Sequence, residues 1–143
     1  MPISARSTRR KNFSKGERLC SRKATEALFA GGNKSFTAFP LRVVFRLVDE
    51  EPSESSVKVL VSVSKRHFKH AVDRNRAKRQ VREAWRLNRD ILSGIYRTPH
   101  TELPALHLAF LWLADEPQST ELVQRKTKNL LHRVVEHISA GMQ

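Results

Sequence analysis

The chain has 143 residues, enough for one domain with a real core and too few for two ordinary ones. It carries 27 Lys and Arg against 14 Asp and Glu, a formal net charge of +13, and one cysteine, Cys20. An intramolecular disulfide framework is excluded, and a polyanionic partner is indicated, because a solubilising surface needs only a modest charge of mixed sign.

The first 18 residues, MPISARSTRRKNFSKGER, are rich in Arg and Ser with Glu17 as their one acid. The composition would suit an organellar transit peptide, but there is no clear apolar face; the segment reads as a flexible basic arm over 1–18, ahead of a single domain over 19–140. LCSRKATEALFAGG predicts a short helix with Ser21 as its cap, Leu28 and Phe29 one turn beyond Ala24 and Thr25, and Gly31-Gly32 as the stop. From Ser35 to Val48 the pattern is that of strand, broken near Pro40, with Leu41, Val43, Phe45 and Leu47 on one face and Arg42, Val44, Arg46 and Val48 on the other. After the polar turn DEEPSES, the segment VKVLVSVSK alternates through Val57, Val59, Val61 and Val63, and the short connection predicts that it pairs antiparallel with the strand before it.

A long helical pattern follows from about Ala71 to Leu92. Ala77, Val81, Ala84, Trp85 and Leu92 form its inward stripe, while Arg79, Arg82, Arg86 and Arg89 recur on another side. Beyond a loop with Gly94, Pro99 and Pro104 comes the apolar run Leu106 to Leu113. It is too continuous to have a wet face, which predicts a central strand, and far shorter than the ~20 residues that cross a bilayer. No membrane partner is expected. The last segment predicts a helix capped by Ser119 or Thr120, with Leu122, Val123, Leu130, Leu131, Val134 and Ile138 facing inward. Helix, three strands, basic helix, strand, helix describes an α/β (α+β) two-layer sandwich.

The stretch RNRAKRQVREAWR, Arg74 to Arg86, contains Glu83 as its single acid. Wound into a helix, it projects Asn75, Lys78, Arg79, Arg82 and Arg86 from one connected surface, together with Arg89. Such a surface repels itself until phosphates lie against it, and Asp73, Glu83 and Asp90 are too few to balance it. Guanidinium groups fork onto phosphate oxygens and stack on bases, so the richness in Arg indicates RNA or DNA. Lys65 and Arg66, where the preceding strand ends, and Lys69 extend the patch around the corner to the helix start. Contacts of this kind confer a steep salt dependence and little base specificity, as suits a structured RNA.

Signals for chemistry within the chain are weak. His67, His70, His100, His107, His132 and His137 have no metal-ligand spacing with cysteine, and Cys20 has no supporting motif. Asp49, Glu50 and Glu51 could attract magnesium but sit in a turn beside Pro52 without a further acid. No phosphate-cradling glycine loop is present. No catalytic or metal-binding residue is therefore expected in the protein, and any reaction is expected to be performed by another component.

VSVSKR, from Val61 to Arg66, followed by AVDRNRAKRQVREAWR, from Ala71 to Arg86, resembles the bacterial ribonuclease P protein component, and a weaker likeness extends from Leu19 to Ile138. The resemblance implies a cytoplasmic bacterial protein subunit whose catalytic RNA partner removes the five-prime leader of precursor tRNA by magnesium-dependent hydrolysis. It also implies a left-handed strand-helix-strand crossover, against the usual rule. Arg74, Asn75 and Arg76 correspond to the family signature, with Lys78, Arg79 and Arg82 completing the RNA-facing side and Lys65 and Arg66 matching the basic pair after the strand. A cleft between the first helix and the sheet is implied for the single-stranded leader. Phe29 fits its aromatic residue, and Phe45 is a second candidate, core packing being the other reading for both. Thr25 stands where a further aromatic is common. Two segments depart from the pattern: RHFKH is one residue longer than usual, and LADEP replaces a basic residue after the last strand. The rival readings are a ribosomal or other structural RNA-binding protein, and a nuclease with its own metal carboxylates.

Overall fold

In the computed structural model, which describes residues 18–19, 22–31, 33–48, 57–94 and 105–141, the period-2 segments form strands and the 3.6-residue patterns form helices. Their order is α1 (Arg22–Leu28), β1 (Lys34–Ala38), β2 (Leu41–Val48), β3 (Val57–Ser62), α2 (Ala71–Asn88), β4 (Ala105–Trp112) and α3 (Thr120–Gly141), with a 3-10 helix (Arg89–Gly94) continuing α2. The basic arm up to residue 17, Cys20, the Ser21 cap, the acidic turn at Asp49, Glu50 and Glu51, and His100 lie outside the described residues.

Local chemistry explains the breaks. Helix α1 stops where Gly31 takes a φ of 92°, open to glycine without strain, and the Asn33 amide donates to the Ala27 and Leu28 carbonyls at 3.0 and 2.7 Å. Pro40, which has no N–H to give a ladder, separates β1 from β2, and the Phe39-Pro40 peptide is cis. Of the two possible caps for α3, Ser119 is the one used: its Oγ accepts from the Leu122 N–H at 3.1 Å.

The sheet order is β1-β2-β4-β3, which corrects the expected pairing of β2 with β3. Strand β4 lies between them, antiparallel to β2 from Leu41↔Trp112 to Val48↔Ala105 and parallel to β3 from Val57↔Leu106 to Ser62↔Leu111. The reason is the apolarity of β4 on both faces, which makes it the strand that gains most from an interior position. The connection β3-α2-β4 is thus the parallel crossover to which the implied handedness refers. Outside β3, Arg18 forms a parallel bridge with Val59, and the Leu19 N–H donates to the Val59 carbonyl at 2.9 Å.

Both faces of the sheet are covered. On one, Leu41, Val43, Phe45, the valines of β3 and Leu106, Leu108, Phe110 and Trp112 pack against α2 and α3. Trp85 of α2 lies 6.4 Å from Phe110 between ring centroids. On the other face the short α1 closes a smaller cluster of Leu19, Leu28, Val44 and Ala109. Leu47, on the same face of β2 as Leu41, Val43 and Phe45, is 42% exposed near the end of the strand. The two long helices are pinned together as well: Gln80 Nε2 donates to the Gln118 carbonyl at 2.8 Å and to Thr120 Oγ1 at 3.2 Å.

Candidate nucleic-acid interface

Helix α2 buries Ala77, Gln80, Val81, Ala84 and Trp85. The turns of the same helix then leave Asn75, Arg76, Arg79 and Arg82 exposed and Lys78 and Arg86 half-buried, on the arc away from the core. Arg76, Arg79, Arg82 and Arg86, with Gln80, Glu83 and Thr120, line a groove of about 480 Å³ between α2 and the start of α3. Four guanidinium groups around one carboxylate make that groove an anion-attracting surface.

The strand exit adds to it. Beyond β3 the chain turns on Ser64, whose carbonyl accepts from the His67 N–H and whose Oγ accepts from the Arg66 N–H, both at 3.1 Å. Phe68 is buried, its ring 6.0 Å from that of Trp112, and this anchor leaves Lys65, Arg66 and Lys69 exposed around it. The two segments that depart from the family pattern meet at this corner: His67 Nδ1 lies 2.7 Å from Asp115 Oδ1.

Two of the arginines expected at the interface have work inside the protein. Arg74 Nη1 donates to the Phe68 carbonyl at 2.8 Å and to the Lys69 carbonyl at 3.1 Å, tying the first turn of α2 to the loop before it. Arg86 Nε donates to Glu83 Oε2 at 3.0 Å, and Nη2 makes a second bond to Oε1. That hydrogen-bonded pairing lowers the Glu83 pKa below the ordinary carboxylate value and raises the Arg86 pKa, with burial opposing both shifts. Sequence periodicity finds such residues but not their partners.

The opposite face of the sheet, under α1, has three rows across β2, β4 and β3. The middle row, Val44, Ala109 and Leu60, is apolar and meets α1. Arg46, His107 and Lys58 form the row on one side, and Arg42, Leu111 and Ser62 the row on the other. Arg42 is exposed, with Nη2 3.1 Å from Ser35 Oγ, and Arg46 and Lys58 are half-buried. Phe29 stands at the end of α1 with 45% of its surface exposed. Phe45 does not join it. Its place on β2 is one residue from Val44, so its side chain points through to the α3 face, where it is 3% exposed and stacks on Phe36 at 5.6 Å with His137 edge-on at 5.4 Å. The cleft assignment of Phe45 is corrected to core packing. The cationic residues of this face, Arg42, Arg46 and Lys58, were not among the candidates read from the sequence, although strand alternation already set Arg42 and Arg46 beside Val44.

Among the described residues no group of three or more His, Cys, Asp or Glu side chains is placed to hold a metal ion, and no helix is long and apolar enough to cross a membrane.

Fold and surface define a basic α+β protein with an arginine-faced helix emerging from the end of a sheet strand and a second cationic face beneath a short helix. A family model described as Ribonuclease P matches residues 13–135. The ribonuclease P protein component of Porphyromonas gingivalis is 39% identical over 129 residues, 90% of this chain and 90% of that one. Its counterpart in Chlorobium phaeobacteroides is 32% identical over 126 residues, 84% of this chain and 86% of that one. Two solved structures share the fold: the Thermotoga maritima ribonuclease P protein, with a TM-score of 0.61 at 24% identity over 82% of this chain and 96% of that one, and the Staphylococcus aureus protein, with 0.60 at 17% over 84% and 96%. The chain belongs to the Ribonuclease P family.

Proposed function

We propose that the chain is the protein subunit of ribonuclease P, which binds a catalytic RNA and assists it in removing the five-prime leader from precursor tRNA. The observation that carries this reading is the cationic surface formed by Arg76, Lys78, Arg79, Arg82 and Arg86 on α2, with Lys65 and Arg66 exposed at the strand exit. Phosphates of a folded RNA neutralise that surface, releasing condensed counterions, and the cationic side chains in turn reduce the repulsion between the phosphates of the catalytic RNA and those of its substrate. Asn75 lies on the same exposed arc and supplies a donor and an acceptor to the RNA backbone. Arg74 contributes by shaping the corner through its two carbonyl bonds.

The reacting atoms belong to the RNA in this reading. Magnesium would be held by the catalytic RNA, and the chemistry it would supply there is activation of water and stabilisation of the leaving oxygen. In this reading the protein binds none itself. The protein's part is to lower the repulsion that magnesium would otherwise have to screen. The leader lies on the α1 face of the sheet, gripped by Arg42, Arg46 and Lys58 through phosphates and by Phe29 through stacking on a base. This contact favours precursor over mature tRNA, since only the precursor carries a leader. The setting is the bacterial cytoplasm.

The test is cleavage of precursor tRNA at low magnesium by the cognate catalytic RNA, with and without this protein. Stimulated cleavage at the mature five-prime end, with no cleavage by protein alone, is expected. Absence of stimulation by folded protein would overturn the subunit reading, and co-purification with ribosomal subunits would then identify a structural RNA-binding protein instead.

A further inference from the structure

We propose that Asp115 is a positioning residue for the RNA-binding corner: by holding His67, it fixes the loop between β3 and α2 so that Lys65 and Arg66 stand beside the arginine face of α2. The inference rests on the RNA-binding role proposed above.

The contact spans 48 residues, from the turn after β3 to the link between β4 and α3, with His67 Nδ1 2.7 Å from Asp115 Oδ1. A carboxylate only accepts, so Nδ1 carries the hydrogen and donates. The two sides differ in exposure: the His67 side chain is 8% exposed and that of Asp115 is 79% exposed. The imidazole is thus packed into the corner and reaches its acid at the surface. On the other side of the same loop, Phe68 is packed near Trp112, and Arg74 holds the carbonyls of Phe68 and Lys69. Helix α2 therefore fixes the second half of the loop, while Asp115 fixes the residue that directly follows Lys65 and Arg66. The backbone bond from His67 N–H to the Ser64 carbonyl closes the turn that contains both basic residues, so orientation of His67 orients them.

The sign of the expected effect separates this role from simple electrostatics. An acid beside a surface that meets phosphates repels RNA, and its removal should tighten binding through charge alone. A positioning acid does the reverse, because its loss frees two phosphate-binding side chains to spread over many conformations.

The experiment titrates the full-length protein against the cognate catalytic RNA of ribonuclease P at fixed salt, comparing wild type, Asp115→Ala, Asp115→Glu, and Asp115→Ala in a Lys65→Ala/Arg66→Ala background. Loss of one hydrogen bond to a positioning group predicts that Asp115→Ala binds about three- to tenfold more weakly. Asp115→Glu is expected to retain most of the affinity, and Asp115→Ala to lose none in the background that lacks Lys65 and Arg66. Unchanged or tighter binding by Asp115→Ala in the intact protein overturns the proposal. So does an equal loss in both backgrounds, which would mark general destabilisation. If wild-type protein does not bind the RNA at all, the RNA-binding reading falls and the positioning role falls with it.

Discussion

At the scale of single residues, the basic surface contains side chains of two kinds, those presented outward and those bonded within the protein. Arg79 is exposed in the groove beside α3, so Arg79→Ala is expected to weaken binding to the catalytic RNA and to flatten the dependence of log affinity on log salt by about one unit, measured by titration across a salt series. Arg74→Ala should act differently. Its guanidinium holds the carbonyls of Phe68 and Lys69, so its loss is expected to speed amide hydrogen exchange in the loop from Lys65 to His70 as well as to weaken RNA binding. Glu83→Gln removes the acid that ties back Arg86, and RNA affinity should rise about two- to fivefold in the same titration. The Glu83 pairing also has a pH signature. Its folded pKa is depressed by Arg86, so the pairing stabilises the fold above the unfolded carboxyl value and that contribution is lost as pH falls through the folded value. Wild type and Glu83→Gln should therefore converge in thermal stability on acidification.

At the scale of elements, α2 carries core and charge on one cylinder. Trp85 against Phe110 fixes the rotation of the helix, and that rotation aims the arginines. Trp85→Ala is expected to cost about 3–5 kcal/mol in denaturant unfolding, since it removes a large buried ring from under the central strand. The helices α2 and α3 were readable from periodicity and β4 from its unbroken apolar run, and Val81, Leu130 and Phe110 all fall in the core. Strand pairing was not. A short link shows only that β2 and β3 run in opposite directions nearby, and β4 enters the gap from 43 residues beyond the end of β3 because its two apolar faces are both covered there.

At the scale of the molecule, the fold gathers part of the basic excess of a +13 chain on the corner of α2 and the face beneath α1. The sequence by itself determined the charge, the helical spacing that makes Arg79 and Arg82 neighbours, and the alternation that separates Phe45 from Val44. These depend on backbone geometry within a few residues. Only the tertiary structure decided which face of β2 meets α1, and so that Arg42 rather than Phe45 lies on the α1 face of the sheet. It alone also brought Asp115 to His67 and Gln80 to Thr120. Those outcomes depend on the position of one element against another, which follows from how the most apolar strand and the two long helices jointly bury their surfaces.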